Sequence, residues 1–283
     1  MYTTSIEAEF QSSAKVLHSA VSKNKTGRTS LGNLDIDDYS ETELTRAVLE
    51  HAMHGQTTRQ IATVNAQFYV LAEKLLSFRT CLNRAEYLCA DGMPIVWACK
   101  TFGKRAVPRI AGVDLIADLS RAGAKRGMRV FLLGGHPGTA EATADFLRET
   151  YPGLKIAGVR CPSQGFEKDP VALSETLEEI KAAKPEVIFV ALGAPKQEFF
   201  IDQHIRPLKI PIAIGIGGSF EILSGRLRRA PKWMQEKGLE WCYRLLHEPR
   251  RLWKRYLIGN VEFIWCVFKW RCRQVRSPSN ATA

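Results

Sequence analysis

The sequence contains no long hydrophobic run. No apolar stretch reaches the roughly 18 residues that a membrane-spanning helix needs. The most apolar segment of the C-terminal region, residues 256–268, is shorter than this and includes Asn260 and Glu262. We therefore expect it to lie on a membrane surface rather than to cross the bilayer. The residues after Met1 also lack the apolar centre of a signal peptide.

Motifs that would indicate a metal or a redox centre are also missing. The 7 cysteines are scattered and form no C-x-x-C pair, which disfavours a zinc ribbon and is typical of a reducing compartment. There is no H-E-x-x-H and no Walker A loop, and "GIGGSF" fails the dinucleotide fingerprint because Phe220 occupies its last position. The sequence therefore predicts no metal and no bound cofactor.

Acidic residues are scarce in one part of the chain. Residues 225–276 carry 14 Lys or Arg against 4 Asp or Glu, a net charge of +10, while the whole chain has a net charge of +11. The rest of the chain is therefore close to neutral. A basic block of this kind indicates a polyanionic partner, which is a phosphate, a nucleic acid or an anionic membrane.

The pattern along the chain predicts four parts. Residues 1–30 are polar and are expected to form a flexible leader. Over residues 31–229, short apolar runs alternate with helical stretches, which predicts an α/β core. Residues 230–276 are basic, aromatic and helical, and we name them the appendage. Residues 277–283 are expected to be a disordered tail.

Five apolar runs are predicted to be strands of a mostly parallel sheet flanked by helices. The runs "PEVIFVALG" and "PIAIGIGG" are continuously apolar and end in glycine, as in strands that are buried on both faces. Helical stretches separate the runs, which is typical of an α/β fold. The predicted strands are 59–63, 129–133, 155–159, 187–192 and 212–216. The predicted helices are 41–54, 67–77, 113–126, 139–150 and 171–183.

Polar and glycine-rich segments follow the predicted strands. In open α/β sheets, ligands bind beyond the carboxyl ends of the strands, where glycine lets the backbone approach a phosphate or nucleoside. Together these segments predict a nucleotide-type ligand, although a tight turn into a helix explains each one equally well. The candidate binding residues are Thr63, Asn65, Gly134, Gly135, Gly193, Pro195, Lys196, Gln197, Glu198, Gly217, Gly218 and Glu221.

Asp91 and Arg109 interrupt apolar segments and are the main candidates for chemistry. A partly desolvated carboxylate suits a general base, which is one interpretation of Asp91. The other is a helix N-cap, because "ADGMP" also resembles a turn into a helix. Arg109 could hold a phosphate or carboxylate, or form an ordinary salt bridge. His136 in "GGHPG" is a weaker candidate for a base.

The appendage supports three interpretations. Its basic residues alternate with Trp241, Trp253, Trp265 and Trp270. This mixture suits an anionic bilayer surface, a nucleic acid, or a solvated basic face above an aromatic core contact. The apolar weight of "FIWCVFKW" favours lipid over nucleic acid. The same apolar surface could also serve an interface between copies of the chain.

Nine segments of the chain stand in a distinctive order. They are "TVNAQ", "ADGMPIV", "RIAGVDL", "FLLGGHPGTA", "YPGLKIAG", "ALGAPKQE", "GIGGSFEILSG", "RRAP" and "GLEWCYRLLHEPRRLWKRY". In this order they resemble the WecG/TagA/CpsF family of bacterial glycosyltransferases over residues 31–256. The P-K-Q-E and E-W-x-x-R-L-x-x-E-P-x-R elements are specific in combination.

The resemblance implies an inverting, Rossmann-like glycosyltransferase that needs no metal. Such a protein moves a HexNAc, its uronic acid or a hexose from a UDP-sugar, which is a substrate and not a cofactor. The acceptor is carried by undecaprenyl diphosphate, in the synthesis of cell-surface polysaccharides. The protein is expected to be peripheral, on the cytoplasmic face of the membrane. The N–H groups of the glycine-rich loops, with Arg109 or the cations of the appendage, would stabilise charge on UDP.

The resemblance also implies roles for individual residues. Asp91 corresponds to the base of the family's A-D-G motif, and Arg109 and Gln197 to other catalytic positions. Glu221 departs from the family, which usually has Asp there. The appendage and the segment before it supply basic residues at positions that hold the lipid diphosphate: Arg229, Arg244, Arg251, Lys254 and Arg255.

Two other functions remain open at this point. A nucleotide-cofactor oxidoreductase would use the glycine-rich loops, but the chain lacks the dinucleotide fingerprint. A non-catalytic module that binds a membrane or a nucleic acid would use the appendage. That second function leaves Asp91, Arg109 and residues 195–198 without a purpose.

Overall fold

The computed structural model of the protein describes residues 27–103 and 105–276. Within these ranges a six-stranded parallel sheet forms the centre and helices cover its faces. The predicted α/β class is therefore confirmed. The predicted tail, and the predicted leader up to residue 26, lie outside the described residues.

The elements are numbered in chain order. The strands are β1 (Arg28–Leu31), β2 (Leu34–Asp37), β3 (Arg59–Val64), β4 (Tyr87–Ala90), β5 (Arg129–Gly134), β6 (Lys155–Arg160), β7 (Val187–Ala191) and β8 (Ile212–Gly215). The core helices are α1 (Glu41–His54), α2 (Ala66–Lys74), α3 (Leu76–Arg84), α4 (Met93–Phe102), α5 (Gly112–Ala124), α6 (Thr139–Thr150), α7 (Pro170–Ala183), α8 (Lys196–Phe200) and α9 (Ser219–Leu223). The appendage contains α10 (Lys232–Glu236), α11 (Glu240–His247), α12 (Pro249–Trp253) and α13 (Gly259–Arg276).

The parallel sheet has the strand order β4-β3-β8-β7-β5-β6. Every residue of β7 and β8 is buried, as their continuous apolar runs predict. All neighbouring strands run parallel, so their carboxyl ends meet along one edge of the sheet. This edge is where an α/β sheet binds its ligand.

The predicted elements are confirmed with four main differences. The predicted helix 67–77 is two helices, because the backbone of Leu75 is extended between α2 and α3. Strand β4 was not predicted, since its four residues, YLCA, are too few to show a period. Helix α4, which directly follows the Asp91-Gly92 turn, was not predicted as an element either.

The fourth difference concerns the boundary of the leader. The sequence predicts a leader that extends to residue 30, whereas β1 begins at Arg28 and pairs with β2 in a hairpin. The buried carboxylate of Asp37 fixes this hairpin to the sheet. It accepts a hydrogen bond from Arg28 Nε at 2.8 Å and another from the N–H of Leu88, in β4, at 2.7 Å.

The appendage packs on the core as part of the same body. Phe263 and Val267 of α13 are buried in the hydrophobic cluster that includes α2, and the Phe263 ring meets the edge of Tyr69 at a centroid distance of 5.2 Å. An ion pair of 2.8 Å between Lys74 and Glu262 joins the same two helices. Among the described residues, no helix combines the length and apolarity required to span a membrane.

Replacing Asp37 tests the attachment of the hairpin. We expect Asp37→Asn to lower the free energy of unfolding by about 1–3 kcal/mol, because an amide loses the charge that Arg28 pairs with. Urea denaturation measures this change. Asp35→Asn, at an exposed position of the same strand, is the control and should stay within about 0.5 kcal/mol. Equal losses in both variants would contradict the assignment.

Candidate active site

A cavity of about 1020 Å³ opens at the carboxyl edge of the parallel sheet. The segments that follow β3 to β8 form its walls, and α11 with neighbouring parts of the appendage forms the remaining side. This volume is at the upper end of the range for small-ligand sites. The candidate residues that line it are Thr63, Asn65, Asp91, Arg109, Gly134, Gly135, Gly193, Pro195, Lys196, Gln197, Gly217, Gly218, Glu221 and Arg244.

Four other candidates are placed differently. Arg229 is not among the cavity-lining residues and is held by acidic side chains. Lys254 is exposed, and its ammonium lies 5.5 Å from the ring centroid of Trp253. The side chains of Arg251 and Arg255 lie outside the described part of the structure. A role in binding a lipid diphosphate stays a prediction for all four.

Asp91 lies directly beyond β4, at the wall of the cavity. Its N–H donates to the carbonyl oxygen of Val64 at 2.8 Å, which extends the ladder between β4 and β3. Helix α4 has Gly92 as its N-cap residue and no side-chain cap. The N-cap interpretation of Asp91 is therefore wrong. The half-buried carboxylate of Asp91 lines the cavity, where a general base needs to be.

Arg109 is held next to Asp91 by the backbone. It forms a parallel bridge with Ala90, and the N–H of Ile110 donates to the Ala90 carbonyl oxygen at 2.8 Å. Its guanidinium donates from Nη2 to Glu240 Oε2 at 2.8 Å, and both side chains are 19% exposed. Arg109 therefore forms the salt bridge that one interpretation expects, and it also lines the cavity. That it holds a phosphate stays a prediction.

Thr63 and Asn65 use polar atoms to shape the end of β3. The hydroxyl of Thr63 donates to the Gly215 carbonyl oxygen at 3.3 Å. The side-chain oxygen of Asn65 caps α2 by accepting from the N–H groups of Gln67 and Phe68 at 3.0 and 3.2 Å. Both residues line the cavity, and their local bonds fix the backbone around it.

Gln197 ties the ends of two strands together. Its side-chain oxygen, Oε1, accepts two hydrogen bonds. One comes from the N–H of Gly193, after β7, at 3.2 Å, and the other from the N–H of Gly217, after β8, at 3.0 Å. Its amide nitrogen donates to Glu198 Oε1 at 2.6 Å. Only 2% of Gln197 is exposed, so these contacts favour a positioning role over direct contact with substrate. A catalytic role for Gln197 stays a prediction.

This tie occupies N–H groups that the sequence assigns to a phosphate. The N–H groups of Gly193 and Gly217 donate hydrogen bonds to the side-chain oxygen of Gln197. The N–H group of Gly135 donates to the Ala191 carbonyl oxygen at 2.9 Å. These contacts favour cationic side chains on the cavity wall, among them Arg109, Lys196 and Arg244, for stabilising charge on a nucleotide. A role of the glycine N–H groups in that task stays a prediction.

Glu198 is fully buried behind the wall of the cavity. Burial raises the pKa of its carboxyl to about 7. The hydrogen bond from Gln197 and a backbone hydrogen bond lower this pKa by smaller amounts. Its Oε2 and the side-chain oxygen of Gln60 are both buried without a hydrogen-bond partner among the described residues. The Gln60 amide donates to the Glu198 backbone carbonyl at 3.5 Å, so the two residues are neighbours. A proton on Glu198 would supply the donor that this region lacks.

Two further candidates, Glu221 and Lys196, also line the cavity. Glu221 is 8% exposed, its Oε1 lies 3.9 Å from His136 Nε2, and its Oε2 has no hydrogen-bond partner among the described residues. Lys196 pairs with Glu167 at 3.1 Å, which joins the segment after β7 to the segment after β6. Both pairs line the cavity.

Sequence reasoning missed part of the cavity wall. The segment 161–167 follows β6, so the rule of strand ends could have identified it. The appendage contributes residues in addition to Arg244, and of these only Glu240 and Trp241 carry a signal, as the start of the E-W-x-x-R element. These additional residues are Gln235, Gly238, Glu240, Trp241, Tyr256 and Asn260.

The raised pKa of Glu198 gives a prediction about stability. The carboxyl binds its proton more tightly in the folded protein, so stability is lost as pH rises from about 4.5 to about 7. Glu198→Gln keeps a neutral donor and removes this loss. We expect the variant to be more stable than wild type at pH 8, by up to about 3 kcal/mol, with the difference shrinking towards pH 5.

Urea denaturation at several pH values measures this difference. Glu178→Gln, on the exposed surface of α7, is the matched control. Wild type and Glu198→Gln with equal stability from pH 5 to pH 8 would show that Glu198 is not held as a neutral acid.

Comparison with known proteins identifies the family. The sequence model of the "Glycosyl transferase WecG/TagA/CpsF family" matches residues 29–277. The chain is 35% identical over 235 residues to a protein of Bacillus spizizenii named N-acetylglucosaminyldiphosphoundecaprenol N-acetyl-beta-D-mannosaminyltransferase, covering 82% of this chain and 88% of that protein. A protein of the same name from Bacillus subtilis is 35% identical over 208 residues, covering 74% of this chain and 78% of that protein.

The transferase interpretation is thereby confirmed over the oxidoreductase and the non-catalytic module. The chain belongs to the WecG/TagA/CpsF family and is a glycosyltransferase.

Proposed function

We propose that this protein transfers a sugar from a UDP-sugar to a polyprenyl-diphosphate-linked sugar acceptor, with inversion and without a metal. One observation carries the proposal: Asp91 lies on the wall of a cavity that Arg109 lines from the core and Arg244 from the basic appendage. The names of the two relatives describe an acceptor of this class and an N-acetylmannosaminyl donor group. N-acetylmannosamine is therefore the first sugar to test.

Asp91 acts as the general base in this proposal. Its carboxylate takes the proton from the attacking hydroxyl of the acceptor while the oxygen forms a bond to the anomeric carbon. The bond between that carbon and the oxygen of UDP breaks on the opposite side, and UDP leaves with the electron pair. Attack opposite the leaving group inverts the configuration at the anomeric carbon.

The charge that develops on UDP needs cationic groups. Arg109 and Arg244 line the cavity, and fixed guanidinium groups stabilise such charge in a partly enclosed site. Among the described residues, no three His, Cys, Asp or Glu side chains are grouped as metal ligands. Independence from metal stays a proposal, which EDTA treatment tests directly.

The exposed face of α13 supports attachment to the cytoplasmic face of a membrane. Val261, Ile264, Trp265 and Phe268 are each more than half exposed, although they are large and apolar. The ammonium of Lys269 lies 5.0 Å from the Trp265 ring centroid, so positive charge accompanies this face. An apolar face beside basic residues binds an anionic bilayer surface, which is where a polyprenyl-linked acceptor resides.

The proposed reaction is tested by UDP release. The full-length protein is incubated with a panel of UDP-sugars and a short-chain polyprenyl-diphosphate-linked GlcNAc, with and without EDTA. We expect release from one donor that depends on the acceptor and survives EDTA. Release that needs no acceptor, or that EDTA abolishes, would contradict the corresponding part of the proposal.

Asp91→Asn tests the assignment of the base. We expect kcat to fall about 10²–10⁴-fold, because an amide cannot accept the proton, while thermal unfolding stays close to that of wild type. Asp145→Asn, on the exposed surface of α6, is the matched control. An Asp91→Asn enzyme with near-normal kcat would show that another group is the base.

The Trp265→Ser/Phe268→Ser double variant tests the membrane contact. We expect it to lose sedimentation with anionic liposomes, because both side chains point to solvent and would enter the bilayer surface. The buried Phe263 and Val267 stay in place, so the fold should be kept. Val171→Ser, which removes an exposed apolar residue from α7, is the control. Unchanged sedimentation of the double variant would refute this contact.

A further inference from the structure

Glu240, at the start of α11, contacts two arginines that the core supplies. Its Oε2 accepts the hydrogen bond from Arg109 Nη2 at 2.8 Å, and its Oε1 lies 3.7 Å from Arg229 Nε. Glu240 is 19% exposed, and the two arginines are 19% and 24% exposed. A carboxylate in this environment is weakly screened by water, so its charge acts strongly on both guanidinium groups.

The second arginine is itself fixed on the core. Arg229 donates two hydrogen bonds to Asp114, from Nη1 to Oδ1 at 2.5 Å and from Nη2 to Oδ2 at 2.6 Å. Asp114 lies in the first turn of α5, so a rigid helix holds this fork. Arg229 is therefore a fixed cation beside Glu240, and it is not one of the candidate catalytic residues.

The contacts of the appendage lie on both sides of Asp91. Glu240 reaches Arg109, whose backbone pairs with Ala90, the residue before Asp91. Gly238 packs on the side chain of Met93, two residues after Asp91, so closely that a Cβ at this glycine would collide with Met93. The appendage therefore touches the backbone neighbourhood of the candidate base at two points.

We propose that Glu240 is a positioning residue, whose carboxylate fixes the direction of Arg109 beside Asp91. This inference rests on the proposed function, in which Arg109 faces the phosphates of the donor. A free arginine samples many rotamers, and a carboxylate on a packed helix selects one of them. The bond to Glu240 uses one N–H of the guanidinium and leaves others for a phosphate.

A double-mutant cycle between Glu240 and Arg109 tests this inference. The full-length variants are Glu240→Ala, Arg109→Ala and the combination, assayed for kcat and KM with the donor that wild type uses. We expect Glu240→Ala to lower kcat by about 10–10²-fold, since small misplacement of a catalytic group costs rates of this size. In the Arg109→Ala background the same change should have almost no effect, because Glu240 acts through Arg109.

Two variants control for charge and for folding. Glu236→Ala removes an exposed carboxylate from the same appendage and should keep wild-type kcat. Glu240→Gln keeps an oxygen that can accept from Arg109 and should recover part of the loss seen with alanine. Wild-type kcat in Glu240→Ala would overturn the proposal. Equal rate losses from Glu240→Ala with and without Arg109 would also overturn it.

A second measurement separates this inference from the proposed function. Hydrogen exchange of the backbone amides of residues 90–93 and 110 reports the coupling without any turnover. Glu240→Ala should speed exchange there and leave α6 unchanged. Absence of UDP release by wild type would remove the proposed function and leave the exchange result standing. Unchanged exchange at residues 90–93 and 110 would show that Glu240 does not support this region.

Discussion

One side-chain amide joins two strand ends at the carboxyl edge of the sheet, where the cavity opens. The side-chain oxygen of Gln197 accepts hydrogen bonds from backbone N–H groups in the segments after β7 and β8. Its side-chain nitrogen donates a hydrogen bond to the carboxylate of Glu198. The contact is so close that Gly215 cannot carry a side chain, since a Cβ there would lie 2.7 Å from Gln197 Nε2 and Glu198 Oε1. The P-K-Q-E segment is therefore polar because two strand ends need hydrogen-bond acceptors in a buried place.

Cationic side chains line the cavity from both the core and the appendage. The N–H groups of Gly135, Gly193 and Gly217 are bonded within the protein, and Arg109, Lys196 and Arg244 are cations on the cavity wall. Arg109 and Lys196 come from the core, and Arg244 comes from the appendage. Packing of the appendage on the core therefore adds positive charge to the cavity.

Packing of the appendage follows from two different interactions. Apolar contacts of Phe263 and Val267 seat α13 on α2, while the ion pairs of Glu240 place α11 beside Arg109 and Arg229. Burial supplies most of the attachment energy, because it is large and not directional. The ion pairs set the direction of particular groups at the cavity. The outer face of α13 stays apolar and exposed beside the cavity that it helps to close.

The sequence by itself determined the α/β class, the five main strands and the edge of the sheet at which the cavity opens. Continuous apolar runs and helical periods are local properties that the chain displays directly, and the motifs around Asp91, Arg109 and Gln197 identified the family. Only the tertiary structure decided what these residues touch. Gln197 bonds residues on two strands, Glu198 is buried behind them, and Glu240 reaches Arg109 from 131 residues away. Such contacts depend on how elements pack, because distance along the chain carries no information about which side chains meet.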